Sequence, residues 1–177
     1  MPTAKASRGT TVTALGFRRL TPSDLLAFRA LRQESFRLEP GSFISTPEDE
    51  AALAREEVER RLAHNFVFGA FDGESLIANA GLTWFDRPKL RHKAEIHGVY
   101  VRAAYRGRGV GDGLLGPMLD YARGRVEAVN LTVSAGNLPA IRLYERWGFE
   151  RYGLEPRALK LPDGGYIDDL LMVKRLT

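Results

Sequence analysis

The chain has 177 residues, of which 44% are hydrophobic and 27% charged, and its formal net charge is +4. This length and balance are typical of one folded domain with a substantial core, and so small a charge does not by itself indicate nucleic-acid binding. The absence of cysteine excludes a disulfide framework, a thiolate metal site and an acyl-cysteine mechanism.

The first residues are basic in part but hold no apolar stretch of the kind a secretory signal needs. We expect a flexible tail over residues 1–11 and a single domain over residues 12–177. Apolar runs such as residues 170–173 are far shorter than the roughly 20 residues that span a bilayer. The sequence therefore predicts a cytoplasmic protein with no membrane partner.

The first part of the chain reads as a strand followed by two helices. Residues 12–20 alternate loosely as a strand, and Thr21 to Asp24 supply a helix cap before an apolar-faced helix that ends near residues 39–42. A second cap, with Pro47 and an acidic first turn, predicts one helix that includes residues 51–62. Its thin apolar stripe indicates an outer, partly exposed helix.

The rest of the chain alternates strands with helices. Strands are predicted over residues 65–71, 75–85, 93–101, 126–134, 149–160 and 166–176, and the first two are joined by the hairpin turn Asp72-Gly73. Helices are predicted over residues 110–123, with a kink or a short first segment at Pro117, and after the cap Asn137 up to Gly148. The order predicts an α+β sandwich with mixed strand pairing.

A glycine-rich turn joins the strand at 93–101 to the helix that follows it. Residues 106–111 read Arg-Gly-Arg-Gly-Val-Gly, and glycines let backbone N–H groups approach a ligand at the positive start of a helix. The turn therefore predicts an anion site. It lacks the Lys-Ser/Thr of a P-loop and the glycine spacing of a dinucleotide-binding turn, so an NTPase or a dehydrogenase is not expected.

The turn instead resembles the acyl-coenzyme A loop of the GNAT superfamily of N-acetyltransferases, Arg/Gln-x-x-Gly-x-Gly/Ala, with Arg106, Gly109 and Gly111 at the defining positions. A second block supports the resemblance. The segment from Asn137 through Tyr144 to Phe149 is similar to the family's Asn-x-x-Ala-x-x-x-Tyr-x-x-x-Gly-Phe pattern. The specific likeness covers roughly residues 93–149.

The resemblance implies a GNAT fold, with a central mixed, mostly antiparallel sheet of about seven strands flanked by about four helices. It implies acetyl-CoA as co-substrate, held along the strand and the glycine turn, with side-chain contacts to phosphate from Arg102 and Arg108. The implied cofactor-binding residues are Val99, Tyr100, Val101, Arg106, Gly107, Arg108, Gly109, Val110, Gly111 and Asn137.

The resemblance also implies the catalytic groups. Glu95 stands eleven residues before Arg106, where histone-type members place a catalytic base, although many members use a water chain. Tyr144 matches the family's general acid, and core packing is the alternative reading of this tyrosine. By alternation along the strand, Glu95, His97 and Val99 are expected to share one face.

Two further residues are candidates for contacts to the acceptor. His97 could line the acceptor pocket, although an ordinary strand histidine is the commoner case, and Asp168 near the last strand could attract a cationic amine, although a charged strand edge is commoner. The three histidines are scattered and show no metal spacing, so no metal is expected.

The resemblance thus implies an N-acetyltransferase that moves an acetyl group from acetyl-CoA to a primary amine by direct attack in a ternary complex. The alternative is a module that keeps the cofactor fold without catalysis and recognises a peptide or nucleic acid. The sequence leaves open whether the acceptor is a small molecule or a peptide, which acyl chain is preferred and whether the chain is a homodimer, a state common among relatives.

Overall fold

The computed structural model describes residues 14–176, and the predicted tail with the first residues of the predicted first strand lies outside the described residues. Within them the chain forms seven strands and five helices. The strands are β1 (Gly16–Arg19), β2 (Phe66–Asp72), β3 (Ser75–Trp84), β4 (Lys93–Val101), β5 (Ala128–Ser134), β6 (Glu150–Lys160) and β7 (Tyr166–Arg175). The helices are α1 (Leu25–Leu38), α2 (Pro47–Ala52), α3 (Arg55–His64), α4 (Val110–Ala122) and α5 (Leu138–Arg146).

The seven strands form one sheet in the order β1-β2-β3-β4-β5-β7-β6. Every neighbouring pair is antiparallel except β4 and β5, which run parallel because α4 crosses between them. The predicted mixed, mostly antiparallel sheet is therefore confirmed. The parallel pair at its centre is the feature that positions the site described below.

The predicted second helix is wrong in its continuity, because it is divided into α2 and α3. Thr46 caps α2 by accepting the backbone N–H of Asp49, as the sequence predicted. At Leu53 and Ala54 the backbone is extended, with ψ of 128° and 149°, and Leu53 turns toward the apolar cluster under α1 and α3. Packing of this side chain against the core separates the two helices.

Two apolar clusters lie on opposite faces of the sheet. The first joins α4 and α5 to one face, and includes Ile96 of β4 together with Leu131 of β5. The second joins α1 and α3 to the other face, and includes Phe28, Leu62 and Tyr100. The sheet is therefore covered on both faces near β2 to β4, which fixes the direction in which each β4 side chain points.

Helix α4 passes through Pro117 without interruption, so the expected short first segment is wrong. Burial of Leu114, Leu115 and Met118 against the sheet holds the helix although Pro117 donates no backbone bond. Glycine brings the helix close to the strands, since a Cβ at Gly113 would stand 2.4 Å from the Phe17 ring.

Across the described residues, we find no helix with the length and apolar character that crossing a membrane requires.

Candidate active site

Strands β4 and β5 pair over only four residues and then separate, which opens a cleft in the sheet. The paired register runs from Lys93 opposite Ala128 to Ile96 opposite Leu131. Beyond that point the two strands line the walls of a cleft of about 890 Å³. A gap between two strands leaves their backbone groups free to bind an extended ligand.

A bulge in β4 at Gly98 decides which side chains enter the cleft. The register with β3 shifts between Asn79 and Gly81, Gly98 has φ of +60°, and its carbonyl oxygen accepts a bond from Asn79 Nδ2 at 2.8 Å. The extra residue reverses the alternation of the strand. Tyr100, rather than Val99, therefore follows His97 on the face of α1 and α3.

The expectation that Glu95, His97 and Val99 share one face is consequently wrong for Val99. Val99 and Val101 pack toward the α4 face, whereas Tyr100 belongs to the cluster under α1. Glu95 and His97 do share a face, because they lie opposite Thr83 and Gly81 of β3. Val99, Tyr100 and Val101 all line the cleft wall.

The glycine turn closes one end of the cleft and presents free backbone donors. Gly107 and Gly109 have φ of +70° and +77°, and α4 begins at Val110. Within residues 14–176, no oxygen accepts the backbone N–H groups of residues 107–112. A run of unpartnered amides at a helix start is an anion-binding arrangement, and this one faces the cleft.

Among the predicted arginines, Arg108 is the one whose guanidinium stays unpaired within residues 14–176, and its phosphate contact stays a prediction. Its guanidinium stands 5.3 Å from the Tyr105 ring centroid and has no carboxylate partner within the described chain. The Arg106 side chain instead folds back, with Nε donating to the Val101 carbonyl at 3.0 Å and Nη2 to Glu39 at 2.7 Å. Arg106 thus orders the loop, and its own backbone N–H donates to Ala103.

The prediction that Arg102 contacts phosphate is wrong. Its guanidinium binds the Glu34 carboxylate of α1 through Nε and Nη2, at 2.9–3.1 Å, and donates to Ser75 Oγ through Nη1. A bidentate pair of this kind fixes both partners. Arg102 therefore anchors the end of β4 to α1, outside the cleft wall.

Helix α5 supplies the opposite wall. Asn137 caps the helix by accepting the Ala140 backbone N–H at 3.2 Å, so its carbonyl oxygen is engaged while its amide nitrogen has no acceptor in the described part of the chain. Arg142 also lines the cleft and was not among the predicted site residues. Its position was the available signal, since it is the basic residue between Asn137 and Tyr144.

Tyr144 lies in the cleft wall and is only 5% exposed. Burial raises the pKa of the Tyr144 hydroxyl well above its ordinary value, so the group stays protonated at neutral pH. Its ring packs edge-on against Phe149 at a centroid distance of 5.9 Å, which fixes its orientation. The hydroxyl can therefore donate a hydrogen bond or a proton but cannot act as a base.

His97 lies in a recess on the α1 face, at the edge of the cleft. Its Nε2 is 2.8 Å from Thr83 Oγ1, and one side of the ring remains open to solvent. Burial, with the positive charges of Arg32 and Arg61, lowers the pKa of His97 to about 4. The imidazole is consequently neutral at pH 7. Glu95 lies on the same face of β4, two residues before His97, and is not among the residues that line the cleft.

Asp168 has a structural contact. Its Oδ1 accepts the backbone N–H of Arg157 at 2.7 Å, and it thereby holds a bulge in β6 where Arg157 has φ of +56°. By register with Ser134 of β5, Asp169 rather than Asp168 shares the face of Glu95. Acceptor binding by Asp168 stays a prediction that this contact does not favour.

The segment between α1 and α2 covers the cleft, a position that the sequence did not predict. Residues 38–43 line it, and a Cβ at Gly41 would stand 3.3 Å from Ile167 of β7. The sequence Glu-Pro-Gly-Ser indicated only a helix end, so no signal for this cover was available.

In the described part of the chain, no group of three or more His, Asp or Glu residues forms a metal site.

A family model described as acetyltransferase (GNAT) family matches residues 26–149, more than half of the chain. The chain is 39% identical over 131 residues to the N-alpha-acetyltransferase RimI of Mycobacterium tuberculosis, covering 73% of this chain and 78% of that protein. It is 37% identical over 142 residues to an uncharacterized protein of Mycobacterium leprae, covering 78% of this chain but only 35% of that protein's length.

The fold is also similar to that of a solved acetyltransferase from Salmonella typhimurium, which was determined with acetyl-CoA. The TM-score is 0.78, at 20% sequence identity, covering 93% of this chain and 95% of that one. At that identity the likeness concerns the fold, and it agrees with the predicted architecture.

Proposed function

The chain belongs to the acetyltransferase (GNAT) family, and on that premise we propose that it moves an acetyl group from acetyl-CoA directly to a primary amine. The predicted enzyme class, an N-acetyltransferase, is confirmed at the level of the family. The observation that carries the proposal is the cleft itself, which joins the free amides of residues 107–112 to the protonated hydroxyl of Tyr144.

The glycine turn would hold the pyrophosphate of acetyl-CoA. Six backbone N–H groups without acceptors, at the start of α4, match an anion with many oxygens. Arg108 belongs to the turn itself and Arg142 lines the same cleft, and their guanidiniums would add charge-assisted contacts. The extended arm would then lie between the separated β4 and β5, alongside Val99 to Val101, with the amide nitrogen of Asn137 as a donor.

The acceptor amine must lose a proton before it attacks. An amine with a pKa of about 10.4 is mostly protonated at pH 7, which costs roughly 4–5 kcal/mol. Glu95, directly or through water, is the proposed base. His97 is neutral with a pKa of about 4, so it is a weak base and is better suited to hydrogen bonding in the acceptor pocket.

The leaving thiolate must in turn be protonated or hydrogen-bonded. Tyr144 lies in the cleft wall with a protonated hydroxyl, and it would donate to the departing sulfur. The bond formed joins nitrogen to the acetyl carbon, the bond broken is the thioester, and no acyl-enzyme is required. The absence of cysteine from the sequence agrees with direct transfer.

Release of free thiol from acetyl-CoA in the presence of a panel of primary amines tests this function. We expect amine-dependent thiol release and an acetylated amine of the expected mass. Tight binding of acetyl-CoA without thiol release for any amine would contradict the proposal and favour the non-catalytic binding module.

A further inference from the structure

Arg32 of α1 is a largely buried cation that the transfer mechanism does not use. Its side chain is 15% exposed, and its Nε donates to Glu50 Oε2 at 3.0 Å. Glu50 itself is 2% exposed. Burial of a guanidinium costs free energy unless its N–H groups find hydrogen-bond acceptors. The surroundings of the other two nitrogens, Nη1 and Nη2, therefore indicate what Arg32 could bind.

One terminal nitrogen of Arg32 lies beside a residue of the cleft wall. Nη1 lies 3.2 Å from the position that a Cβ of Gly98 would occupy, and Gly98 forms part of the cleft wall beside His97. Among the hydrogen bonds of residues 14–176, none uses Nη1 or Nη2 of Arg32. Both terminal nitrogens are thus unpaired within residues 14–176, and Nη1 is the one that lies beside Gly98.

Aromatic rings hold this planar guanidinium fork in place. The guanidinium carbon stands 4.8 Å from the Phe36 ring centroid and 5.5 Å from that of Phe28. Phe36 packs edge-on against Phe43, with ring centroids 5.2 Å apart, and Phe43 lines the cleft. A guanidinium fixed by an ion pair and two rings is preorganised for a bidentate partner.

We propose that Arg32 binds the carboxylate of the acceptor, so that the acceptor is a free amino acid rather than a polyamine or a peptide N-terminus. This inference rests on the proposed acetyl transfer. A carboxylate matches the two free nitrogens in geometry and charge. In a peptide the equivalent group is a neutral amide, and a polyamine would bring a second cation near Arg32 and Arg61, the two charges that already act on His97.

The first test compares acceptors that differ only at the carboxylate: L-amino acids, their carboxamides and the corresponding decarboxylated amines, at one pH in the thiol-release assay. We expect kcat/KM for the amino acid to exceed that for its carboxamide by about 10- to 100-fold. The carboxamide has the less basic amine and therefore more free base at neutral pH, so this order cannot arise from amine ionisation.

The second test uses variants. Arg32→Lys keeps the charge but loses the fork, and we expect the ratio of amino acid to carboxamide to fall to within a few-fold of one. Arg37→Lys, on the same helix at an exposed position, should leave the ratio unchanged. Glu50→Gln removes the ion pair that fixes Arg32 through Nε, so KM for amino acids should increase while KM for their carboxamides should not. This variant decides the question even if Arg32→Lys fails to fold.

The failures are distinguishable. The carboxylate site is overturned, and acetyl transfer stands, if kcat/KM for carboxamides and simple amines equals that for amino acids. The same holds if the ratio of amino acid to carboxamide is unchanged in both Arg32→Lys and Arg37→Lys. If no amine of any kind releases thiol, both the function and the carboxylate site are overturned.

Discussion

The imidazole of His97 lies directly over the backbone of Gly81, in the neighbouring strand. A Cβ at Gly81 would come within 2.5 Å of His97 Cε1 and 2.7 Å of Nε2, distances that real Cβ atoms do not reach. The two residues are cross-strand partners in the register of β3 with β4. The missing side chain at Gly81 is therefore what allows the histidine to reach Thr83.

Gly81→Ala is expected to displace the His97 ring and to lower the free energy of unfolding by about 1–3 kcal/mol, as other overpacked sites do. Denaturant unfolding measures the loss. In the double variant Gly81→Ala/His97→Ala the ring is gone, so most of the loss should disappear and the two changes should be non-additive. Equal losses in the presence and absence of His97 would contradict the contact.

The neutral state of His97 makes stability depend on pH. The pKa of His97 is about 4 in the folded protein and ordinarily 6.5, so the unfolded chain binds more protons between these values. The contribution of His97 to stability is present above pH 6.5 and is lost as the pH falls from 6.5 to about 4. His97→Asn should flatten this part of the curve, whereas His92→Asn, in the connector before β4, should not.

The left-handed backbone of the glycine turn should be needed for acetyl-CoA. Gly109 has φ of +77° and Gly124 has φ of +75°, and a Cβ would meet no atom within 4 Å at either position. Alanine at each should therefore cost a similar backbone strain, about 1–2 kcal/mol. Only Gly109→Ala should weaken acetyl-CoA binding, by about tenfold or more in calorimetry. Equal Kd values for the two variants would remove the turn from the cofactor site.

Tyr144→Phe should lower kcat by about 10²-fold or more while leaving the Kd for acetyl-CoA nearly unchanged, because the hydroxyl acts on the leaving group rather than on binding. Tyr121→Phe is the matched control, since Tyr121 packs against Phe66 and Trp84 away from the cleft. Steady-state kinetics with calorimetry separate the two quantities. An unchanged kcat would remove Tyr144 from the mechanism.

Glu95→Gln should move the pH–rate profile toward higher pH. Without a carboxylate to take the proton, the reaction needs an amine that solvent has already deprotonated, and that fraction increases with pH. Glu127→Gln, at an exposed position before β5, should leave the profile in place. An unaltered profile in the Glu95 variant would assign the proton to a water chain that does not depend on this residue.

The sequence by itself determined the elements and the cofactor side of the site. Apolar stretches, alternation in some of them and the turns between them located all seven strands, because each of these signals is local in the sequence. The loop at Arg106–Gly111 and the cap at Asn137 depend on local backbone conformation, which glycine and asparagine set within a few residues. A local sequence pattern can therefore predict both the loop and the cap.

The tertiary structure alone decided the acceptor side. The bulge at Gly98, which moves Val99 to the other face, depends on Asn79 of a different strand. The pairing of Arg102 with Glu34 and the fork of Arg32 against Gly98 depend on how α1 packs across the sheet. Such contacts join residues 19 to 68 positions apart in the chain. No short-range pattern encodes them, because their energies arise only once the sheet and helices have packed.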